Sequence, residues 1–269
     1  MTNEEYLNIN KANWNERVSI HKKSELYDLE NFKKGKNKLH NLETEELGDI
    51  KGKSVLHLQC HFGMDTLSLE MLGAEVTGVD FSEEAIKAAN ELRDEMNMKS
   101  EFILSDIYSL HGKLNKKFDI VYTSYGVLIW LPDLKKWADV INNFLKDDGF
   151  FYIAEVHPTS MIFNNTVQSG IPEIAYPYFS KEEPLIFNEE GTYADKNAKT
   201  LNNTSYEWSH SLSDIFMSLI NRGLKIIFFH EHKFTVWQQF SNMKKDEDGY
   251  FRFDSDIPLL FSLKAKKGL

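Results

Sequence analysis

Residues 54–82 read SVLHLQCHFGMDTLSLEMLGAEVTGVDFS. The run SVLHLQC is short, apolar and β-prone, and it breaks at the turn residues HFGMD. A helical stretch over about 65–72 follows, and EVTGVD makes a second strand ending at Asp80. Strand, tight turn, helix and strand in so few residues are the repeating unit of a parallel sheet, because parallel neighbours need a crossover and a helix is its usual form. Ser82 stands before EEAIKAANELRDEMN, where its hydroxyl can cap the first turn and the acids face the positive helix end. Ile86, Ala89 and Met96 recur on one face of that helix.

The pattern repeats downstream. EFILSD is a third strand ending at Asp106, and FDIVYTSYG a fourth ending near Ser124. The spacing of Leu134, Trp137, Val140, Ile141 and Phe144 predicts a helix over 133–144, with Gly149 as a stop before FFYIAEV. Residues 157–206 lose this regularity and carry Pro158, Pro172, Pro177 and Pro184 among Asn, Tyr and Phe. They read as an insertion of loops and short hairpins over the sheet. A helix near 210–221 closes at Gly223, and LKIIFFHEH and PLLFSLKAKK are the last strands, placed to pair antiparallel across the polar stretch holding KKDEDG. Residues 1–50 are polar and helix-leaning, with Trp14, Val18, Tyr27 and Leu29 scattered among charges, and read as a helical appendage or lid on a domain spanning 51–269. The KKGKNK run at 33–38 reads as a solvated loop. The fold class expected is α/β, a Rossmann-like, mostly parallel sheet with helices on both faces.

Composition narrows the function. The 269 residues hold 31 Lys and Arg against 41 Asp and Glu, a net charge of -10, which disfavours nonspecific attraction to nucleic acid or anionic lipid. Cys60 is the single cysteine, so neither an intrachain disulfide nor a cysteine-based zinc site is expected. No stretch of about 18 apolar residues occurs and the N-terminus lacks a signal-peptide core, so the expectation is a soluble, cytoplasmic protein without membrane partner. Oligomeric state is open.

In open parallel sheets a ligand lies beyond the carboxyl ends of the strands. Gly63 gives the first turn the conformational freedom to approach one. Asp80, seventeen residues further on at the end of the second strand, is placed to accept from the hydroxyls of an adenosine ribose, and Asp106 from an adenine amino group.

On these residues, with SDIYS and DIVYTSYGVLIWLPD behind them, the chain resembles the class I methyltransferases that use S-adenosylmethionine, well over about 53–156 and loosely to the C-terminus. The resemblance implies a seven-stranded sheet in the order 3-2-1-4-5-7-6. It implies S-adenosylmethionine as cofactor, with S-adenosylhomocysteine as product, and a small-molecule acceptor. It carries the glycine-rich motif to residues 59–65, placing Gln59, Cys60, His61 and Gly63 at the cofactor. The ribose acid falls on Asp80 with Phe81 and Ser82 beside it, the adenine acid on Asp106 with Ile107, and the methionine-contacting segment on Ser124 and Tyr125. His61 departs from the family pattern, since a glycine is usual there.

Proton acceptors are sought among His157, Tyr125 and His210, with Glu155 and Glu207 nearby, because a base must titrate near working pH and stand near the nucleophile. Trp14, Tyr27, Tyr178 and Trp208 are expected around the acceptor, within aromatic-rich irregular segments. No metal is required, because the sulfonium is already an activated methyl donor. Two other readings are carried forward: a nicotinamide-dependent oxidoreductase, which also wants an acid after strand two but a fuller glycine fingerprint, and a noncatalytic nucleotide-binding protein.

Overall fold

The structure is a computed structural model that describes residues 1–164, 173–254 and 256–268. The central sheet contains β1 (Ser54–Leu58), β2 (Glu75–Asp80), β3 (Glu101–Leu104), β4 (Phe118–Ser124), β5 (Leu145–Val156), β6 (Leu224–His232) and β7 (Leu260–Lys267). Their spatial order is 3-2-1-4-5-7-6, as the resemblance implied. Strands β3, β2, β1, β4 and β5 run parallel, and β7 lies antiparallel to both β5 and β6.

β1 is buried along its whole length, as a central parallel strand covered on both faces must be. Successive side chains point to opposite faces. Leu56 and Leu58 join the core beneath α6 (Leu134–Phe144) and α7 (Leu212–Ile220), where Trp137, Ile141 and Ile215 are fully packed. Val55 joins the opposite core with Val76, Ile120, Tyr122 and Tyr152, under α3 (Asn41–Leu47). A third cluster packs α4 (Met64–Met71) against α5 (Glu83–Glu95) through Met64, Leu67, Ala88 and Leu92.

Two local expectations are corrected. Gly149 does not stop α6: the helix ends at Phe144 and β5 starts at once, with Gly149 inside it. A Cβ there would stand 2.8 Å from the Asp119 carbonyl, so the glycine serves close approach to β4. β3 ends at Leu104, two residues before Asp106.

Residues 1–50 form α1 (Asn3–His21), α2 (Leu29–Lys33) and α3. The buried residues of α1 are Asn10, Asn13, Val18 and His21, mostly polar. They are used on main chain: Asn10 Nδ2 donates to the Tyr206 carbonyl (2.7 Å), Asn10 Oδ1 accepts from the Tyr206 amide (2.8 Å), and Asn13 Nδ2 donates to the Asn202 carbonyl (2.7 Å). Those partners belong to, or adjoin, a hairpin of Leu185–Asn188 with Thr204–Glu207, the best-formed part of the 157–206 stretch. Residues 165–172, including Pro172, lie outside the described residues. Among the described residues no helix is long and apolar enough to cross a membrane.

Candidate active site

The turn after β1 has a glycine at only one of three positions, yet its backbone is left-handed at all three. Gln59, His61 and Gly63 all have left-handed conformations, with φ of 57°, 48° and 84°. Glycine adopts this region freely and other residues seldom do, so the turn is held against its local preference. The His61 ring is fixed from above: its Nε2 lies 2.9 Å from His21 Nδ1 of α1, and the Trp14 ring stands edge-on 5.2 Å away. Burial pulls His21 down to about 3 and His61 well below the usual histidine range, so both rings are neutral at neutral pH. Gly63 is also held by packing, since a Cβ there would fall 2.6 Å from the Phe102 ring. The same ring blocks Gly78, where a Cβ would come within 2.9 Å.

Asp80 sits at the end of β2 and is 7% exposed. Its two oxygens accept from the amides of His61 (2.8 Å) and Ser82 (2.9 Å). Burial pushes its pKa up to about 6, against the opposing pull of backbone amides. Asp106 follows β3, and one of its oxygens accepts from the Ser109 amide (3.0 Å).

Gly63, Asp80 and Asp106 line one cavity of about 1020 Å³. Gln59, Cys60, His61, Phe81, Ile107, Ser124, Tyr125, Trp14, Tyr27, Tyr178, Trp208 and His210 line it too. This volume is at the upper end for a small-molecule pocket and leaves room for a second molecule beside a nucleotide-sized one. Ser82 is not in its wall. The Ser82 hydroxyl accepts from the Ala85 amide (3.0 Å) as the α5 cap and donates to Asn15 Oδ1 of α1 (2.6 Å).

His157 also lies away from the cavity. Its amide pairs with the Leu259 carbonyl (2.9 Å), its Nδ1 accepts from the Thr159 amide (3.1 Å), and its Nε2 lies 3.0 Å from a Glu231 carboxylate oxygen. Antiparallel pairing beyond β5 thus turns this ring toward β6. Glu155 does face the site, yet it is committed to four amides, those of Gly126, Val127 (2.8 Å), Leu128 (3.1 Å) and Val156 (2.6 Å), and so shapes the loop after β4. His210 donates from Nε2 to the Leu131 carbonyl (2.8 Å). Tyr125 donates its hydroxyl to Glu43 (2.8 Å), and burial raises its pKa well above the usual tyrosine range, which makes it a donor at neutral pH.

Several wall groups were not expected. Glu43 of α3 is fully buried and accepts from Tyr122 (2.7 Å), Tyr125 and the His40 amide (2.9 Å). Burial, with Asp65 adding to it, raises Glu43 to about 8. Asp65 accepts from Ser124 (3.1 Å) and is also raised by burial. Lys38, read as part of a solvated loop, lines the cavity and donates to the Leu26 carbonyl (2.8 Å).

Glu207, at the end of the 204–207 strand, faces the cavity and, among the described residues, accepts only from the Ser205 hydroxyl (3.2 Å). Burial raises it to about 7. The Trp208 amide donates to the Ile129 carbonyl (2.8 Å), which with the His210 bond pins residues 207–210 along the loop after β4.

The strand order and the cofactor-type turn define the class I S-adenosylmethionine-dependent methyltransferase fold. A methyltransferase-domain family profile matches residues 56–151. A methyltransferase of Clostridium acetobutylicum described as S-adenosylmethionine-dependent superposes with a TM-score of 0.57 at 17% identity, covering 94% of this chain and 96% of that one. A glycopeptide N-methyltransferase solved with S-adenosylmethionine superposes at 0.53 with 16% identity, covering 86% and 88%. In sequence, a ubiquinone biosynthesis O-methyltransferase of Glaesserella parasuis is 28% identical over 123 residues, 44% of this chain and 52% of the relative. The chain spans about half the length of the curated relatives it matches.

Proposed function

We propose that the protein transfers a methyl group from S-adenosylmethionine to a small molecule. The observation that carries this reading is the convergence of the left-handed turn at 59–63, Asp80 and Asp106 on one cavity that continues under the 185–207 hairpin. The wall suits such a cofactor: Gln59 Oε1 is buried with no partner among the described residues, Asp80 keeps lone pairs beyond its two amides, and the first amides of α4 lack intrahelical partners. The relatives' names favour methyl over hydride transfer.

When bound, S-adenosylmethionine supplies a methyl carbon whose bond to sulfur breaks, the electron pair staying on sulfur, as the acceptor's lone pair forms the new bond. Asp80 would hold the ribose hydroxyls and Asp106 the adenine amino group, with Phe81 and Ile107 supplying apolar surface for the base. Lys38 and Asp65 sit by the turn at the methionine end, with Ser124 orienting Asp65. Glu207 takes the acceptor's proton, because it faces the cavity beside the loop after β4, has a spare oxygen, and titrates close to neutral pH. Tyr125 and His210 position that loop. Trp14 and Tyr27 close the site from the 1–50 segment, Tyr178 from the 157–206 cap and Trp208 from just beyond it, excluding water from the reaction.

The test is calorimetric titration with S-adenosylhomocysteine, followed by incubation of methyl-labelled S-adenosylmethionine with a small-metabolite extract. Binding plus label in a small product is expected. Failure to bind S-adenosylhomocysteine refutes the reading, and binding without any transfer favours a noncatalytic nucleotide-binding protein.

A further inference from the structure

The cap end of the cavity contains a cation that contacts no carboxylate among the described residues. Arg17 of α1 lies four residues before His21, lines the cavity and is half-buried. Its guanidinium makes one long hydrogen bond, 3.4 Å to the Asn13 carbonyl, and no carboxylate oxygen of a described residue lies within 4 Å. The chain has three other arginines, and each meets a carboxylate: Arg93 with Asp94 at 2.7 Å, Arg222 with Asp139 at 2.6 Å and Arg252 with Asp246 at 2.7 Å. The unpaired one is the one that faces the cavity. Nearby Glu16 does not serve it, because both its oxygens are taken by the amides of Leu201 (2.8 Å) and Asn202 (2.7 Å). Withdrawing a guanidinium from water without a partner is unfavourable, and its planar fork of donors matches a carboxylate in two parallel bonds.

We infer that the methyl acceptor is a small carboxylate with a flat apolar body, its carboxylate held by Arg17 and its body lying against the Trp14, Trp130 and Tyr193 rings. This rests on the methyl-transfer reading. The rings form one wall, with Trp14 5.3 Å from Trp130 and 6.5 Å from Tyr193 between centroids. The cofactor's own carboxylate is a poorer partner by position. The charges that bear most on Arg17 are Tyr193, Glu207, Glu16 and Glu189, from α1 and the 185–207 hairpin region. The cation that senses Asp65, at the cofactor turn, is Lys38. Glu207 lines the same cavity and lies within electrostatic reach of Arg17, so one small molecule can meet both.

The experiment is calorimetric: S-adenosylhomocysteine is titrated first, then benzoate and benzamide separately into the saturated protein. Benzoate should bind at least about tenfold more tightly than benzamide, the scale of a charge-assisted pair. Arg17→Gln should abolish that preference and leave S-adenosylhomocysteine affinity unchanged, and Arg17→Lys should retain part of it. Equal binding of the two probes, binding of neither at millimolar concentration, or a preference that survives Arg17→Gln overturns the inference. So does an Arg17→Gln variant that loses S-adenosylhomocysteine affinity but keeps the preference, since Arg17 then serves the cofactor. If wild-type protein does not bind S-adenosylhomocysteine, the methyl-transfer reading falls by itself. The same two probes on the ligand-free protein then decide the carboxylate site. Circular dichroism of each variant separates lost binding from lost fold.

Discussion

Replacing Asp80 by Asn tests the cofactor end of the site most directly. The carboxylate accepts from two amides at 2.8 and 2.9 Å, one on each oxygen. An Asn side chain has a single accepting atom, so its NH₂ must face one of those N–H groups, leaving a buried amide unsatisfied at about 1–3 kcal/mol of stability. The ribose hydroxyls also lose a charged acceptor worth about 1.5–3 kcal/mol, which corresponds to roughly 10- to 150-fold weaker cofactor binding. Calorimetric titration with S-adenosylhomocysteine, well above the Asp80 titration, measures the second quantity, and thermal unfolding the first. The pH profile adds a sign. Burial holds the wild-type group at about 6, so it loses its charge as pH falls through that value and affinity should drop there, whereas the Asn variant should be flat. An Asp80→Asn protein with wild-type affinity, wild-type melting temperature and an unchanged pH profile would refute the assignment.

Glu207→Gln should lower the turnover of methyl-labelled cofactor by about 10²- to 10⁴-fold while leaving S-adenosylhomocysteine binding intact. It should also remove the rise in rate that wild type shows as Glu207 loses its proton near pH 7. Gly63→Ala forces a left-handed alanine and sets a methyl 2.6 Å from Phe102 and 3.0 Å from the Ala89 Cβ, a loss of about 2–5 kcal/mol in chemical denaturation, and adding Phe102→Leu should recover the part due to the ring. Glu43 is raised from its ordinary value to about 8, so the stability linked to it is present at low pH and is lost as pH rises from about 4.5 through about 8. Glu43→Gln should flatten that decline, whose slope is up to about 1.4 kcal/mol per pH unit in wild-type denaturation curves.

The sheet and its strand-end residues were legible because their signals are local. A buried parallel strand is apolar throughout, a glycine permits the turn after it, and an acid ends the next strand, so Gly63 and Asp80 can be read within one short window. Glu43, Lys38 and Arg17 carry no such signal. They reach the cavity on segments from 1–50, and α1 is seated by Asn10 and Asn13 bonding to distant main chain and by His21 meeting the His61 ring, which leaves no apolar stripe to announce a buried face. Gly149 was misread because a helix stop and a close strand approach call for the same residue. The direction of the His157 ring is not legible locally, because pairing with Leu259, on a segment a hundred residues away, decides which way it turns.

The Phe102 ring stands over both Gly63 and Gly78, so three positions on separate elements share one volume. Substitution at either glycine is closed while the aromatic side chain remains, and a smaller residue at 102 relieves the ring contact at both, leaving Cys60 Sγ 2.9 Å from a Cβ at 78 and the left-handed backbone at 63. Across homologous chains these positions should therefore change in concert, with departures from glycine at 63 or 78 accompanied by loss of the ring. Their joint history offers a record of how the cofactor turn was kept.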